Sequence, residues 1–595
     1  MRARTKAIPG ALLLCLLLLS LSEPGCRCGS VEESEAQRAN AQALPDIFPT
    51  NTGETAQVLA ARIPGDVDAA LFVSSVAALV QMMDRVKRWR LMDPEQLEGI
   101  FKDLEAHHGI NPGNAQSYRS NGFSLVDGLA FGKLGGGWFA IVKVEDQSRF
   151  ESFLDKFINE EYGRPRVHEE VHEGVTFSTI YVLRKDLVTV AYVDGFAYLV
   201  AGDRLIKGSP PSPQTLERLL ALEPSNALSN KASFKAVFEH MGSAGPILFY
   251  GPGEALRGLL EGMLASDESA EKEGDKKKEK PKADDHDTLK QLTGLLTELQ
   301  GVGVAVQASE EELSLRTFVV VSEESLATLR LATTPGVDDP KALLELVPAD
   351  ISGLGRLTFA PEVLEQQVIS LLYGENGAKK WEDIKGKLSV RFLMNFEDDV
   401  LYNLSGQALI GLFSVEESAL KGAAENVDVI QGLRGAVFLP FKDATKADSY
   451  FSKVNAVSSL LPKGQVEIED REGVMVVTIK NQRKAVLRLA YAHGVLGACV
   501  GKDTVAAVIE RLRKGPQQPT PPYVSKELLG SGPVWGVSLD MSEVVAVLSA
   551  RLEVVKLQIN RFLAPLRSTS LVLLLSPSGL DVNLSIHMTP VQEEE

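Results

Sequence analysis

Hydrophobic and polar positions alternate with period two along a series of short runs, and the runs come in two similar sets. Arg166–Val171, Val175–Val182, Leu187–Tyr192 and Ala197–Ala201 form one set; Gln465–Glu469, Val474–Ile479, Ala485–Tyr491 and Leu496–Val500 form the other. Alternation bounded by turn residues predicts half-buried strands. The turns carry Glu173-Gly174, Asp194-Gly195, Glu472-Gly473 and His493-Gly494, pairs suited to two-residue hairpins. Residues 173–203 align on 472–502 without a gap, at a constant offset of 299. Earlier in each half, Ile63-Pro64-Gly65-Asp66 matches Val347-Pro348-Ala349-Asp350, and Asp146 matches Asp443. The chain therefore reads as a tandem duplication.

The rest of each half follows the same plan. A short strand (Ala70–Val73; Gly355–Thr358) precedes helical periodicity, seen from Val76 to Leu104 in Leu79, Met82, Met83, Val86 and Trp89. A hairpin turned by Gly135-Gly136-Gly137 joins Gly128–Gly132 to Trp138–Val144. Asp146 and Asp443 then stand as N-caps of helices carrying Phe150, Phe153 and Phe157, or Tyr450 and Val454. After the meander come a helix (Gln214–Leu222; Asp503–Arg513), a strand led by Gly245-Pro246 or Gly532-Pro533, and a closing pair of strands. The pattern predicts an α+β fold of two tandem homologous units, each a mainly antiparallel meander with packed helices.

The predicted boundaries are 1–25 for a signal peptide, 26–62 for a flexible tether, 63–335 and 336–589 for the two units, and 590–595 for an acidic tail. The first unit holds about 20 residues more than the second. The surplus is Ser266 to Asp287, whose run Glu271-Lys272-Glu273-Gly274-Asp275-Lys276-Lys277-Lys278 has too little apolar surface to order itself. It reads as a disordered, solvated insertion.

Export is written at the N-terminus. Arg2, Arg4 and Lys6 precede an apolar run from Ala11 to Leu21, about half the length that spans a bilayer. Two cleavage patterns compete. Ser20-Leu21-Ser22 suits an ordinary signal peptidase; Gly25-Cys26 suits lipidation of Cys26, although Glu23 and Pro24 depart from the lipobox pattern. The polar stretch from Gly29 to about Arg62 suits a tether from a membrane surface. Cys15 leaves with the signal, so Cys26, Cys28 and Cys499 cannot make a disulfide framework, and Cys499 in the apolar run Val495–Val500 reads as a buried small hydrophobe. The net charge of −17 grows more negative by two once residues 1–25 are gone. An acidic chain with no concentrated basic face argues against a nucleic-acid partner.

Several stretches imitate catalytic motifs. His168-Glu169-Glu170-Val171-His172 satisfies H-E-x-x-H, but zinc peptidases need that pattern on a helix. Here the alternation predicts a strand, which sets the two His residues roughly 13 Å apart, and Glu467 and Arg471 replace them in the second half. Gly497 to Thr504 is one residue short of a phosphate loop, with Asp503 where Ser or Thr should stand; it reads as a strand-to-helix turn with a capping Asp, like Gly202-Asp203-Arg204. His107-His108 reads as a helix C-terminus where imidazoles complement the dipole. His493 lies in a hairpin turn, His240, His286 and His587 are isolated, Glu397-Asp398-Asp399 reads as turn and surface, and the sequons at Asn403 and Asn583 fall in strand patterns. The expectation is no catalytic residue, no metal site and no cofactor.

With these elements in place a resemblance can be stated. Pro64-Gly65-Asp66, Gly109-Ile110-Asn111-Pro112, and Val142 to Asp146 with Phe150 resemble a family of large exported bacterial proteins, a domain-of-unknown-function family often predicted to be lipoproteins. The resemblance implies envelope location and a duplicated α+β fold, and brings no catalytic residues. The expected function is a non-catalytic envelope protein, periplasmic or attached by a lipid anchor in a Gram-negative-type envelope, that binds a protein or another ligand. A periplasmic small-molecule binding protein is one alternative; an enzyme with a site assembled between the two halves is another.

Overall fold

A computed structural model describes residues 52–89, 94–163, 165–241, 245–255, 257, 298–333, 351–361, 382–383, 385–386, 395, 397–415, 433–456, 466–481, 484–500, 504–514, 523–525, 528, 533–541 and 566–588. The signal, Cys26, Cys28, most of the tether, the 266–287 insertion, Val347 to Asp350 and the tail lie outside the described residues. The chain divides into two compact units, 1–310 with 315–321, and 311–314 with 322–595. The division falls before the 335/336 boundary read from the sequence. One physical reason is Arg330 on helix α8 (Glu323–Ala332), which donates to the carbonyls of Ser576 (3.4 Å) and Pro577 (2.9 Å) in the second unit.

The first unit is built on ten strands: β1 (Ala69–Val73), β2 (Leu129–Leu134), β3 (Gly137–Lys143), β4 (Arg166–His172), β5 (Val175–Val182), β6 (Lys185–Val193), β7 (Phe196–Ala201), β8 (Ile247–Pro252), β9 (Leu299–Ala308) and β10 (Glu312–Val321). They lie in the order β4-β5-β6-β7-β3-β2-β1-β8-β9-β10. The second unit uses β11 (Gly353–Thr358), β12 (Gln407–Val415), β13 (Leu433–Pro440), β14 (Val466–Arg471), β15 (Val474–Asn481), β16 (Lys484–Ala492), β17 (Val495–Val500), β18 (Pro533–Asp540), β19 (Leu566–Leu575) and β20 (Gly579–Met588). Their order, β14-β15-β16-β17-β13-β12-β11-β18-β19-β20, is the same plan. Among the described residues these strand pairs run antiparallel in both units.

The likeness extends to detail. A β-bulge lies after Ile180 in one meander and after Ile479 in the other. The turn pairs Glu173-Gly174 and Glu472-Gly473 take left-handed φ values of 50°, 85°, 57° and 86°, and Asp194-Gly195 and His493-Gly494 do likewise. Two positive φ values in a two-residue turn match the twist of the strands it joins.

Helices pack on the sheet of the first unit. Alternate residues of β3 serve two cores: Phe139 and Ile141 face one, Ala140 and Val142 the other. The first core takes α1 (Thr52–Ala60), α6 (Ser212–Leu220) and α7 (Ala232–Met241) through Leu59, Leu216 and Phe234. The second takes α2 (Val76–Arg88), α4 (Ala115–Ser120) and α5 (Gln147–Tyr162) through Val80, Tyr118, Phe150 and Phe153. Covering both faces explains why β2, β3 and β7 read as near-continuous apolar runs. Burial of a Phe such as Phe150 contributes roughly 1.5–3 kcal/mol.

The helical stretch from Val76 is not continuous. It divides into α2 and α3 (Pro94–His108), because Pro94 lacks the N–H that a running helix needs and suits a first turn. Trp89, after α2, is buried and donates Nε1 to the Glu310 carbonyl (2.9 Å). Both expected caps form: Asp146 accepts from the Arg149 N–H (3.1 Å) ahead of α5, and Asp443 from the Lys446 N–H (3.1 Å) ahead of α9 (Ala444–Ala456). In the second unit, α10 (Thr504–Lys514) packs Val505, Val508 and Leu512 onto the core of Leu354, Phe438 and Cys499. Among the described residues no helix is long and apolar enough to cross a membrane.

Candidate functional site

The H-E-x-x-H stretch folds as strand β4, ended by the Glu173-Gly174 turn. On one face, His168 Nε2 meets Glu170 Oε1 at 2.8 Å and His172 Nε2 meets Glu170 Oε2 at 3.2 Å. Side-chain length thus brings both imidazoles to one carboxylate, although their backbones are four residues apart. His168 and His172 hold the Glu170 carboxyl below its ordinary range by hydrogen bonding. His172 also stacks on Phe177, with ring centres 4.6 Å apart.

The other face of β4 carries Val167 and Val171, 55% and 70% exposed. Among the described residues the strand pairs with β5 alone, which leaves its outer row of backbone N–H and C=O groups facing away from β5. In the second unit β14 holds the same place. It pairs with β15 in the same register, Glu467 opposite Thr478 as His168 is opposite Thr179. There Glu467, Glu469, Asp470 and Arg471 are all exposed, and Arg471 forks onto Glu469 at 2.7 and 2.9 Å. Both edges carry charge, but Val171 on β4 is replaced by Asp470 on β14.

A second concavity lies under the Pro-Gly-Asp element. A cleft of about 820 Å³ is bordered by Pro64 to Asp68, Ser225 to Ala227, Asn230, Lys231, Pro252, Glu254 and Ala255. The Gly65 N–H donates to the Asn226 carbonyl (2.8 Å), and Lys231 Nζ donates to the Gly65 carbonyl (3.0 Å). Asp66 pairs with Arg218 at 2.9 Å. Its volume suits a small molecule, but its groups hold the chain together rather than converge on a point.

His108 ends α3, as its place in the sequence predicts, and is buried there: it is 4% exposed, its ring centre 4.9 Å from that of Phe157, with neither ring nitrogen hydrogen-bonded. The carboxylates of Glu161 and Glu160 stand 3.4 and 4.0 Å away. Burial lowers its pKa, against the opposing pull of the two carboxylates. The ring borders an apolar cavity of about 40 Å³ with Leu79, Leu104, Tyr118 and Phe153, space on the scale of a water molecule or two.

The remaining sites are structural. Gly497 to Thr504 leads from β17 into α10, with 501–503 outside the described residues. In the first unit Asp203 closes a turn on the Gly208 N–H (2.7 Å) and pairs with Lys185 (2.5 Å), whereas Asp186 accepts from the Ser212 N–H (2.8 Å) at the start of α6. The helix cap is therefore Asp186, not Asp203. Cys499 is buried, and burial pushes its thiol up to about 12. Asn403 lies in a turn rather than a strand and clamps the Asp443 backbone from both sides at 3.0 Å. His240 stacks on Phe318 at 4.1 Å.

Sequence reasoning missed two features. Thr179, Thr189 and Ser212 form a buried hydroxyl chain ending on Asp186, with steps of 3.1, 2.7 and 2.9 Å. Arg356 is buried on β11 and donates to the Leu528 carbonyl (3.2 Å). A lone cation inside the apolar run Gly355–Thr358 was the available signal for the second.

No family model matches the chain, and no curated protein matches it. Solved structures of TP0453 are similar: crystal form III at 9% identity over 47% of this chain and 82% of that one, TM-score 0.21, and crystal form IV at 10%, 46%, 84% and 0.22. At these scores the likeness carries no argument about fold or function.

Proposed function

We propose that this chain is a non-catalytic protein of the bacterial cell envelope that works by binding, held near a membrane by its N-terminus. The observation that supports binding most directly is the edge of β4, with Val167 and Val171 exposed and Val171 standing where the equivalent strand β14 carries the exposed Asp470. A sheet edge recognises another extended backbone through ladder hydrogen bonds, with alternate side chains setting specificity. Export rests on the basic and apolar N-terminal pattern, attachment on Cys26, and the resemblance to exported proteins of unknown function agrees with both. The acidic charge of −17 disfavours nucleic acid as the partner.

The H-E-x-x-H stretch takes no catalytic role in this reading, since its two imidazoles are engaged by Glu170 on an exposed strand. A second reading, a small-molecule binding protein, is favoured by the cleft of about 820 Å³ beside Asp66 and Lys231. Affinity capture from cross-linked native envelopes separates the two. Partners recovered with the native chain and lost with Val167→Lys and Val171→Lys support edge binding. Partners unaffected by those changes, or a chain recovered alone, count against it.

A further inference from the structure

The sequence of β4 is complementary to itself. An antiparallel pair of β4 strands that overlaps all seven residues, Arg166–His172, must have its two-fold axis at the central residue, Glu169. That register sets Val167 of each copy opposite Val171 of the other, and His168 opposite Glu170, both twice. Residues opposite one another share a face of an antiparallel pair, so the exposed valines meet on one side and imidazole meets carboxylate on the other. Arg166 falls opposite His172. The one unfavourable pair is Glu169 with its own copy on the axis.

The second unit supplies the contrast. In the equivalent register about Ile468, β14 would set Glu467 opposite Glu469 twice and Val466 opposite Asp470. Like charges directly opposite oppose pairing, and charged edges are a common protection against edge-to-edge association. So a like charge is paired once in β4, on the axis, and twice in β14, where the axis pair is Ile468 with its own copy.

We infer that the partner of the β4 edge is a second copy of this chain, the two β4 strands joining in antiparallel register about Glu169. This rests on the reading that the chain works by binding through that edge. The shared surface is a short strand with a like-charge pair at its centre, so the dimer is weak and concentration-dependent.

Sedimentation velocity on the purified full chain, with Cys26 and Cys28 replaced by Ser, tests it. The native edge should show a monomer–dimer equilibrium; Val171→Lys should abolish it while circular dichroism stays unchanged. Removing the repulsion on the axis with Glu169→Thr should tighten association about threefold. Glu169→Cys should form an intermolecular disulfide under mild oxidation, and Ile468→Cys, its counterpart on β14, should not. A monomer at every concentration, in native and Glu169→Thr chains alike, overturns the inference, and so does a dimer indifferent to Val171→Lys. If the purified chain is monomeric while envelope capture still depends on β4, self-pairing fails and binding to a different extended segment stands. If capture is also indifferent to β4, both fail.

Discussion

Val171 and Asp470 stand at the same place on equivalent edge strands, Val171 opposite Thr176 and Asp470 opposite Met475, yet one is an exposed hydrophobe and the other an exposed charge. Asp470 also accepts from the Gly473 N–H (2.9 Å), a turn contact that Val171 cannot make. Beyond that contact, the difference bears on what each edge does in solution. Exchanging the two, Val171→Asp with Asp470→Val, should cost about 1 kcal/mol of stability for the lost acceptor of the Gly473 N–H. It should move association from the first unit's edge to the second's, as read by cross-linking from each strand.

The two helix caps give matched stability measurements. Asp146→Ala removes the acceptor for the Arg149 N–H and Asp443→Ala that for the Lys446 N–H. Each should lose about 1 kcal/mol in chemical denaturation. Asn403 also grips the Asp443 backbone, so Asn403→Ala should add to the loss in the second unit alone.

Protonation of His108 should loosen the first unit. Burial lowers its pKa from the ordinary 6.5, so the folded state prefers the neutral ring. The stabilising share is then complete above the unfolded value and is lost as pH falls through 6.5 towards the folded one. Glu160, Glu161 and Lys156 on α5, His107 on α3 and Tyr118 on α4 face or adjoin the ring. His108→Leu should flatten the fall in melting temperature between pH 7 and pH 5 relative to the native chain; an unchanged slope would show that the ring does not titrate there.

Cys499 should report on the second unit. Its thiol is buried and pushed up to about 12, so little thiolate exists at pH 8. In a Cys26→Ser, Cys28→Ser background, native protein should not react with a disulfide reagent over minutes. Reaction should accelerate in step with denaturant unfolding. Fast labelling without denaturant would mean that β17 opens readily.

The β4 imidazoles should make no structural metal site. Dialysis against a chelator should leave the melting temperature unchanged, because His168 and His172 are already engaged by Glu170. The Glu170 carboxyl should titrate below its ordinary range by NMR, and return towards it in the His168→Asn, His172→Asn variant.

The meander strands, both Asp caps and the Glu-Gly turns were legible in the sequence because each rests on local chemistry: alternation, a short side chain that accepts from the backbone, a residue that tolerates positive φ. The strand assignment of His168 to His172 came from the same source. What was not legible is non-local. The spacing of His107-His108 at a helix end could not show that Phe157, far along the chain, would bury one of them. Asp186 lies 26 residues from Ser212, so its capping role needed the fold. Backbone distance alone also hid the convergence of His168 and His172 on Glu170.

A photo-activated cross-linking residue placed at position 171 in living cells, with position 470 as control, tests binding through the β4 edge most directly. Position 171 should give a discrete adduct, on the chain itself or on an envelope partner, and position 470 none. Equal labelling from both positions, or none from 171, would contradict it.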